Sequence, residues 1–368
     1  MKFVHIADIH FDSPFVNLSD KDGLGDLRRL EQRKVLKKVI EYIKENDIKY
    51  LFISGDLYEQ KYIKKSTIEY INNLFKEIPE THIFITPGNH DPYVKNSYYN
   101  KFNWNKNVKI FNSKIEKVEL DDANIYGFGF DDFYCKKSEI EDIKIEDKDR
   151  NKLNILITHG SLDGGNVENS EYNPLSRKML KNKGFDYVAL GHIHKLDYNQ
   201  EKGQNIVYPG STVSLGFDEL GQHGMIVGEL EKEREQEEKL QLKFLPLDEI
   251  EFKLQDVDVT EIKSKEELIE KINELEFEEN SLIEIILIGK RNFEIDKYEL
   301  YKLISNDKII KIKNKTKINY DLEKLANDTT LKGLFAKEML QKLSDENLSN
   351  EDKEILEKAV EIGMEALE

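Results

Sequence analysis

The chain of 368 residues has a single cysteine, Cys135, so no disulfide can close within it. That suits a reducing compartment, and a lone thiol of this kind reads as a small filler residue rather than a nucleophile. No apolar run approaches the roughly 20 residues that a membrane-spanning helix needs. Met1-Lys-Phe-Val runs directly into a strand pattern, with no secretory leader. The expectation is a cytoplasmic protein with no membrane partner. An excess of basic charge is also missing: 55 Lys and Arg stand against 72 Asp and Glu, a net charge of -17. The deficit is uneven, since residues 1–230 hold 32 basic and 36 acidic residues (net -4) and residues 231–368 hold 23 and 36 (net -13). This excludes a protein that coats nucleic acid generally, but not one with local phosphate contacts. There is no Gly-rich phosphate loop, so any ATP-driven step would have to come from a second protein. Internal repeats and long low-complexity tracts are absent as well.

What the chain does have is a series of short apolar runs, each closed by a polar cluster. Phe3 to Ala7 ends in Asp8-Ile-His10, and Tyr50 to Ser54 ends in Gly55-Asp56. His82 to Thr86 ends in Pro87-Gly-Asn-His-Asp91, Leu153 to Thr158 in His159-Gly160, and Tyr187 to Leu190 in Gly191-His-Ile-His194. Runs of this length read as buried strands. Helical patterns at Leu27–Glu45 and Ser66–Lys76 separate the first three, which predicts right-handed crossovers and a largely parallel sheet. The charged face of the first helix, with Arg28, Arg29, Arg33, Lys34, Lys37 and Lys38, is either solvated or a nucleic-acid surface. Val108–Phe111, Lys114–Leu120 and Asn124–Phe130 read as a second, more antiparallel sheet. Phe11–Gly25 reads as a loop and Ser138–Lys152 as a charged surface excursion. Leu175–Lys183 reads as a helix, and Glu231–Lys239 as a hairpin tip or a boundary. Beyond Leu247 the pattern is strand, helix, strand, helix, strand, followed by two helices near Leu331–Leu343 and Asn350–Leu367. Lysines at 302, 308, 311, 313, 315 and 317 either protect an edge strand or form a nucleic-acid face.

The fold class expected is α/β (α+β), with domains at 1–247, 248–320 and 321–368. His192 and His194 at i and i+2 would, taken alone, serve as a ligand pair or as two solvated loop histidines. Five strand ends together deliver Asp8, His10, Asp56, Asn89, His90, His159, His192 and His194, and solvated histidines have no reason to be sorted in that way. Mixed His, Asp and Asn donors suit Mn, Fe or Zn better than Mg or Ca. There are too many for one ion, and two ions about 3.5–4 Å apart that share a carboxylate fit better.

These clusters, in this order, resemble the five motifs of the calcineurin-like metallophosphoesterases. The strings Ala-Asp-Ile-His-Phe-Asp-Ser-Pro (7–14), Tyr-Pro-Gly-Ser (208–211) and Gly-Leu-Phe-Ala-Lys-Glu-Met (333–339) resemble the SbcD/YhaO-type exonuclease branch. The resemblance is strong over residues 1–230 and thin over 248–320. It implies a two-sheet sandwich flanked by helices, a small α+β capping domain that holds DNA, and C-terminal helices. It implies two divalent metal ions, most readily Mn: Asp8, His10 and His194 would hold one, Asn89, His159 and His192 the other, and Asp56 would bridge them. His90 would stabilise the phosphorane or protonate the leaving oxygen, and Asp91 would orient an imidazole. His5, His82 and His223 fall outside the pattern and read as structural. The activity implied is hydrolysis of phosphodiester bonds at DNA ends. A coiled-coil SbcC-like ATPase and a second copy of the chain are the partners it implies. The alternatives are a phosphoesterase for small nucleotides or phosphoproteins, and a non-catalytic scaffold that binds DNA ends.

Overall fold

The computed structural model of the chain describes residues 1–18, 23–163, 172–198, 204–232, 239–345 and 347–367. It divides into two units, Met1–Phe252 and Lys253–Glu368. The strands of the first unit are β1 (Lys2–Ile6), β2 (Tyr50–Ile53), β3 (His82–Ile85), β4 (Val108–Ile110), β5 (Glu116–Glu119) and β6 (Ala123–Phe128), then β7 (Leu153–His159), β8 (Tyr187–Gly191), β9 (Ile206–Val207), β10 (Gly224–Leu230) and β11 (Leu240–Pro246). Its helices are α1 (Leu24–Glu45), α2 (Lys65–Lys76), α3 (Tyr98–Lys101) and α4 (Arg177–Lys183).

These strands make two sheets, β11-β10-β1-β2-β3-β4 and β5-β6-β7-β8-β9. The apolar runs are continuous because each strand is covered on both sides. The rings of Phe3, Phe52, Phe84 and Phe111 follow one another in the space between the sheets, at centroid distances of 5.3, 6.3 and 6.0 Å, and face Ile125, Ile155, Ile157 and Tyr187. The outer face of the first sheet packs on Leu36, Val39, Ile40 and Ile43 of α1 and on Ile68, Ile71 and Phe75 of α2. Layered helix–sheet–sheet–helix packing follows directly, in agreement with the fold class expected.

Three details differ from what the sequence predicts. Val108–Ile110 is not part of the second sheet; it joins the first, parallel to β3. The second sheet is mainly parallel, since only β5 and β6 are antiparallel. Ser138–Lys152 is more than a surface excursion. A 3-10 turn at Glu139–Asp142 and the residue after it bury Ile140 and Ile143 against Tyr126, Leu180 and Phe185 on the outer face of the second sheet. Residues 233–238, in the charged run between β10 and β11, and residues 19–22 of the Phe11–Gly25 loop lie outside the described residues.

The second unit takes up β12 (Glu251–Asp258), which begins at the last two residues of the first. It continues with α5 (Lys265–Asn273), β13 (Ser281–Ile288), β14 (Lys290–Arg291), α6 (Lys297–Leu303), β15 (Ile309–Asn314) and β16 (Lys317–Ile318). The three-stranded sheet β12-β13-β15 has its own core of Val257, Leu268, Ile272, Ile285, Leu287 and Ile312. After α7 (Leu322–Leu325), the helices α8 (Leu331–Leu343) and α9 (Asn350–Ala366) pair through Ala336, Met339, Val360 and Met364.

Candidate metal centre

β1, β2 and β3 run parallel in one sheet, and β7 and β8 run parallel in the other. Their carboxyl ends therefore meet at one rim, where open α/β sheets place ligands. The backbone at this rim is held in unusual conformations. Asp8, His10, Asp56 and His192 have φ of 53°, 54°, 51° and 103°. Non-glycine residues persist in this region only where the surroundings over-determine them, and such positions gather at functional sites. Two glycines allow the close approach. A Cβ on Gly55 would come within 2.3 Å of His159 Nδ1, and one on Gly191 within 1.9 Å of the Ser54 carbonyl oxygen.

The side chains converge. His10 Nε2 lies 3.1 Å from His194 Nε2 and 3.8 Å from Asp56 Oδ2. On the other side of Asp56, His159 Nε2 is 3.2 Å from Oδ2 of the same carboxylate and 3.0 Å from Asn89 Oδ1. His192 Nδ1 is 3.2 Å from that same Asn89 oxygen. Asp8, buried, lies 4.0 Å from His194 Nε2 and accepts the backbone N–H of His192 through both oxygens at 3.1 Å. Asp8, His10 and His194 form one group with donor atoms close enough to hold an ion, and Asp8, Asp56 and His159 form a second. His10, Asp56 and His90 also approach one another in this way.

The donors fit metal ions. Two ligands at about 2.1 Å from one ion, at right angles, stand about 3 Å apart, which is the spacing of the His10–His194, His159–Asn89 and His192–Asn89 pairs. The ring nitrogens that face away from the centre are each engaged: His10 Nδ1 with Glu59 at 2.8 Å, His159 Nδ1 with the Ser54 carbonyl at 2.8 Å, and His194 Nδ1 with Glu219 at 2.5 Å. An imidazole that donates one N–H outward keeps a lone pair on the other nitrogen, aimed inward, as metal-bound histidines do. Glu59 and Glu219 are functional residues that sequence reasoning misses. The only signal for them is position, three residues after Asp56 in one case and eight after Ser211 in the other.

His90 differs from the others. Its backbone N–H donates to Asp56 Oδ1 at 2.8 Å, its Nδ1 meets Glu59 Oε2 at 3.0 Å, and its ring stands edge-on to His10, with the side chain 45% exposed. Asp91 does not orient an imidazole, contrary to expectation. Its Oδ1 accepts N–H groups of Gly88 (2.7 Å) and Asp56 (3.1 Å), and its Oδ2 accepts Leu57 N–H (2.7 Å) and the Tyr99 hydroxyl (2.6 Å). It ties the ends of β2 and β3 together and thereby sets Asp56. His5 is structural: buried, it bridges Tyr187 Oη and Ser54 Oγ at 2.9 Å each, and burial pushes it down to about 3, so it stays neutral.

The electrostatics favour cations. Burial alone would raise the Asp56 carboxyl, but His159, His10 and His90 hold it well below the usual carboxylate range. Burial opposes protonation of His90, His159 and His194, yet the neighbouring carboxylates raise all three to about 9. In His90 the main one is Glu59, in His159 Asp56, and in His194 Glu219 and Asp8. His192, half-buried and next to His159, is lowered to about 3 by desolvation and by that neighbour.

Residues 1–196 match the family model described as calcineurin-like phosphoesterase. The chain belongs to that family. Membership implies metal-dependent hydrolysis of phosphoester bonds, for which the donor groups at the rim are suited. A curated relative, the metallophosphoesterase YhaO of Bacillus subtilis (strain 168), is 26% identical over 233 residues, or 61% of this chain. The match spans 56% of that relative, little more than half its length. Among solved structures, a Thermus thermophilus protein is similar with a TM-score of 0.36 and 11% identity, over 66% of this chain and 98% of its own. GAP50, described as the anchor in the inner membrane complex of Plasmodium, gives 0.33 and 11%, over 85% of this chain and 96% of its own. Scores this low carry no inference about this phosphoesterase. Among the described residues, no helix is long and apolar enough to cross a membrane.

Proposed function

We propose that this phosphoesterase is an exonuclease that hydrolyses phosphodiester bonds at DNA ends. The observation that carries the hydrolytic part is the shared Asp56 carboxylate, with His10 on one side at 3.8 Å and His159 on the other at 3.2 Å. Two divalent ions, when bound, supply an activated water and neutralise charge on the phosphoryl group. Asp8, His10 and His194 would hold one, Asn89, His159 and His192 the other. His90, kept protonated by Glu59 and exposed at the rim, donates to the leaving oxygen. Asp91 fixes the Asp56 backbone, and Glu59 and Glu219 fix the rings of His10 and His194.

The choice of DNA rests on the SbcD/YhaO-like strings in the sequence and on a second unit with a core of its own, which a small ester does not require. The exposed Leu331, Leu334, Ile355 and Ile362 on α8 and α9 would dock a coiled-coil ATPase. The test is hydrolysis of end-labelled duplex and single-stranded DNA beside a small p-nitrophenyl diester, with Mn, with Mg, and with EDTA. Degradation from the ends that EDTA abolishes supports the reading. Turnover of the small ester with DNA left intact supports a phosphoesterase for small nucleotides or phosphoproteins instead.

A further inference from the structure

A row of aromatic rings leads from the protein surface to the metal centre and has no part in the hydrolysis just described. Tyr172 lies against the His192 ring at a centroid distance of 4.9 Å, tilted by 38°. Tyr134 stacks on Tyr172 at 5.9 Å and 29°. Tyr134 is 52% exposed and its neighbour Phe133 46%, among the most exposed large apolar side chains of the first unit.

Surface aromatics are common, but these stand on a fixed backbone. Ser161 N–H donates to the Tyr172 carbonyl at 3.0 Å, and Asn173 N–H donates to the Cys135 carbonyl at 2.6 Å. The buried Asn173 side chain donates to the His159 carbonyl at 2.7 Å and to Thr158 Oγ1 at 3.1 Å. Both tyrosines are thus tied to the end of β7 that presents His159, Tyr172 through its neighbour Asn173 and Tyr134 through Cys135 and Asn173. Fixing ring positions in advance spares the ordering cost that a mobile surface ring incurs on binding.

The geometry points to a stacking platform, formed by Tyr134 with Tyr172 behind it, that receives an unstacked nucleobase next to the phosphate being cleaved. This rests on the reading of the substrate as nucleic acid. Every base has a π-face, so a ring pair of this kind selects base-bearing strands without selecting sequence. An end-acting enzyme needs such a surface, because the terminal nucleotide must leave the duplex stack before its phosphate reaches a recessed centre.

The test uses the full chain with Mn and three substrates: a single-stranded oligonucleotide, the same strand with abasic residues at the two terminal positions, and a small p-nitrophenyl diester. The wild type should cleave the base-bearing strand with a kcat/KM on the order of 10-fold above the abasic one. Tyr134→Ala should bring the base-bearing strand down to the abasic level, mainly through KM, and leave the other two substrates unchanged. Tyr134→Trp should restore the preference. Equal rates on the two strands with the wild type, or a Tyr134→Ala loss that is the same on both, would overturn the platform and leave the nuclease reading standing. Turnover of the small ester with neither strand cleaved would overturn the nuclease reading, and the platform with it.

Discussion

The His90 side chain is 45% exposed at the rim, while His10, His159 and His194 are each engaged through Nδ1 and turn Nε2 toward the centre. That difference separates two substitutions. Asp56→Ala removes the carboxylate that lies between His10 and His159, so metal content and hydrolysis should both collapse. His90→Ala removes a proton donor and should retain its metals while losing on the order of 10²–10⁴ in rate. Metal analysis beside turnover checks this, and a His90→Ala protein that purified without metal would show His90 to be a ligand. The raised histidines make a second prediction. His159 and His194 hold their protons up to about pH 9 in the absence of metal. A cation must displace those protons, so metal affinity should rise from pH 6 to about 9 and then level off. With no metal present the sign is reversed. A folded-state value above the ordinary 6.5 means that these groups contribute stability fully below pH 6.5 and lose it as pH rises through about 9. Calorimetric titration with Mn in two buffers of different ionisation heat should report proton release at pH 7 and almost none above pH 9.5.

At the scale of elements, the strand ends are the legible part. A parallel strand buried on both faces must be apolar throughout, so its polar end stands out, and the apolar runs coincide with β1, β2, β3, β7 and β8 to within a residue or two. The less regular pieces are hidden for physical reasons. β4 is three half-buried residues, too short to show whose edge it joins. Ile140 lies in a 3-10 turn and Ile143 just after it, amid charged residues where no helical period marks a buried face. Arg28 belongs by sequence to a solvated or nucleic-acid face, yet it is fully buried, donating to Asp248 and to the Ser214 carbonyl. Glu59 and Glu219 are invisible because their partners are distant in sequence: His90 and His194 lie 31 and 25 residues away. One element junction can be tested directly. Gly191→Ala would drive a Cβ into the Ser54 carbonyl, forcing β8 from β2 at a cost of about 1–3 kcal/mol. A lowered Tm, with metal content reduced because His192 follows Gly191, is the expected result. On α8 and α9 the apolar residues divide: Met339, Val360 and Met364 seal the pair, while Leu334 and Ile362 face outward. Leu334→Asp with Ile362→Asp should therefore leave the melting curve unchanged but abolish capture of a coiled-coil ATPase. Undiminished capture in a pull-down would remove that docking surface from consideration.

For the molecule as a whole, charge and division into units bear on how a polymer would be held. The second unit, residues 253–368, holds 19 basic and 28 acidic residues, a net charge of -9, so it does not attract a phosphate backbone by its overall field. Local contacts would have to do so. Within the lysine run, Lys308 donates to the carbonyls of Phe277 and Glu278, Lys311 pairs with Glu284, and Lys317 pairs with Glu361. Lys313 and Lys315 are exposed at the end of the edge strand β15. Every proposed metal ligand belongs to the first unit, and so do the residues that orient them. A chain ending at Phe252 keeps the Arg28–Asp248 pair and the packing of Phe252 on Phe217. It should fold, bind metal and hydrolyse a small phosphodiester at close to the rate of the full chain. If the second unit holds DNA, the shortened chain should degrade DNA far more slowly. Its DNA binding should also depend less steeply on salt, in proportion to the number of phosphates it no longer neutralises. Measured over a series of salt concentrations, equal DNA degradation and equal salt slopes for the two chains would show that the second unit does not touch the substrate, and would confine nucleic-acid recognition to the rim around His192.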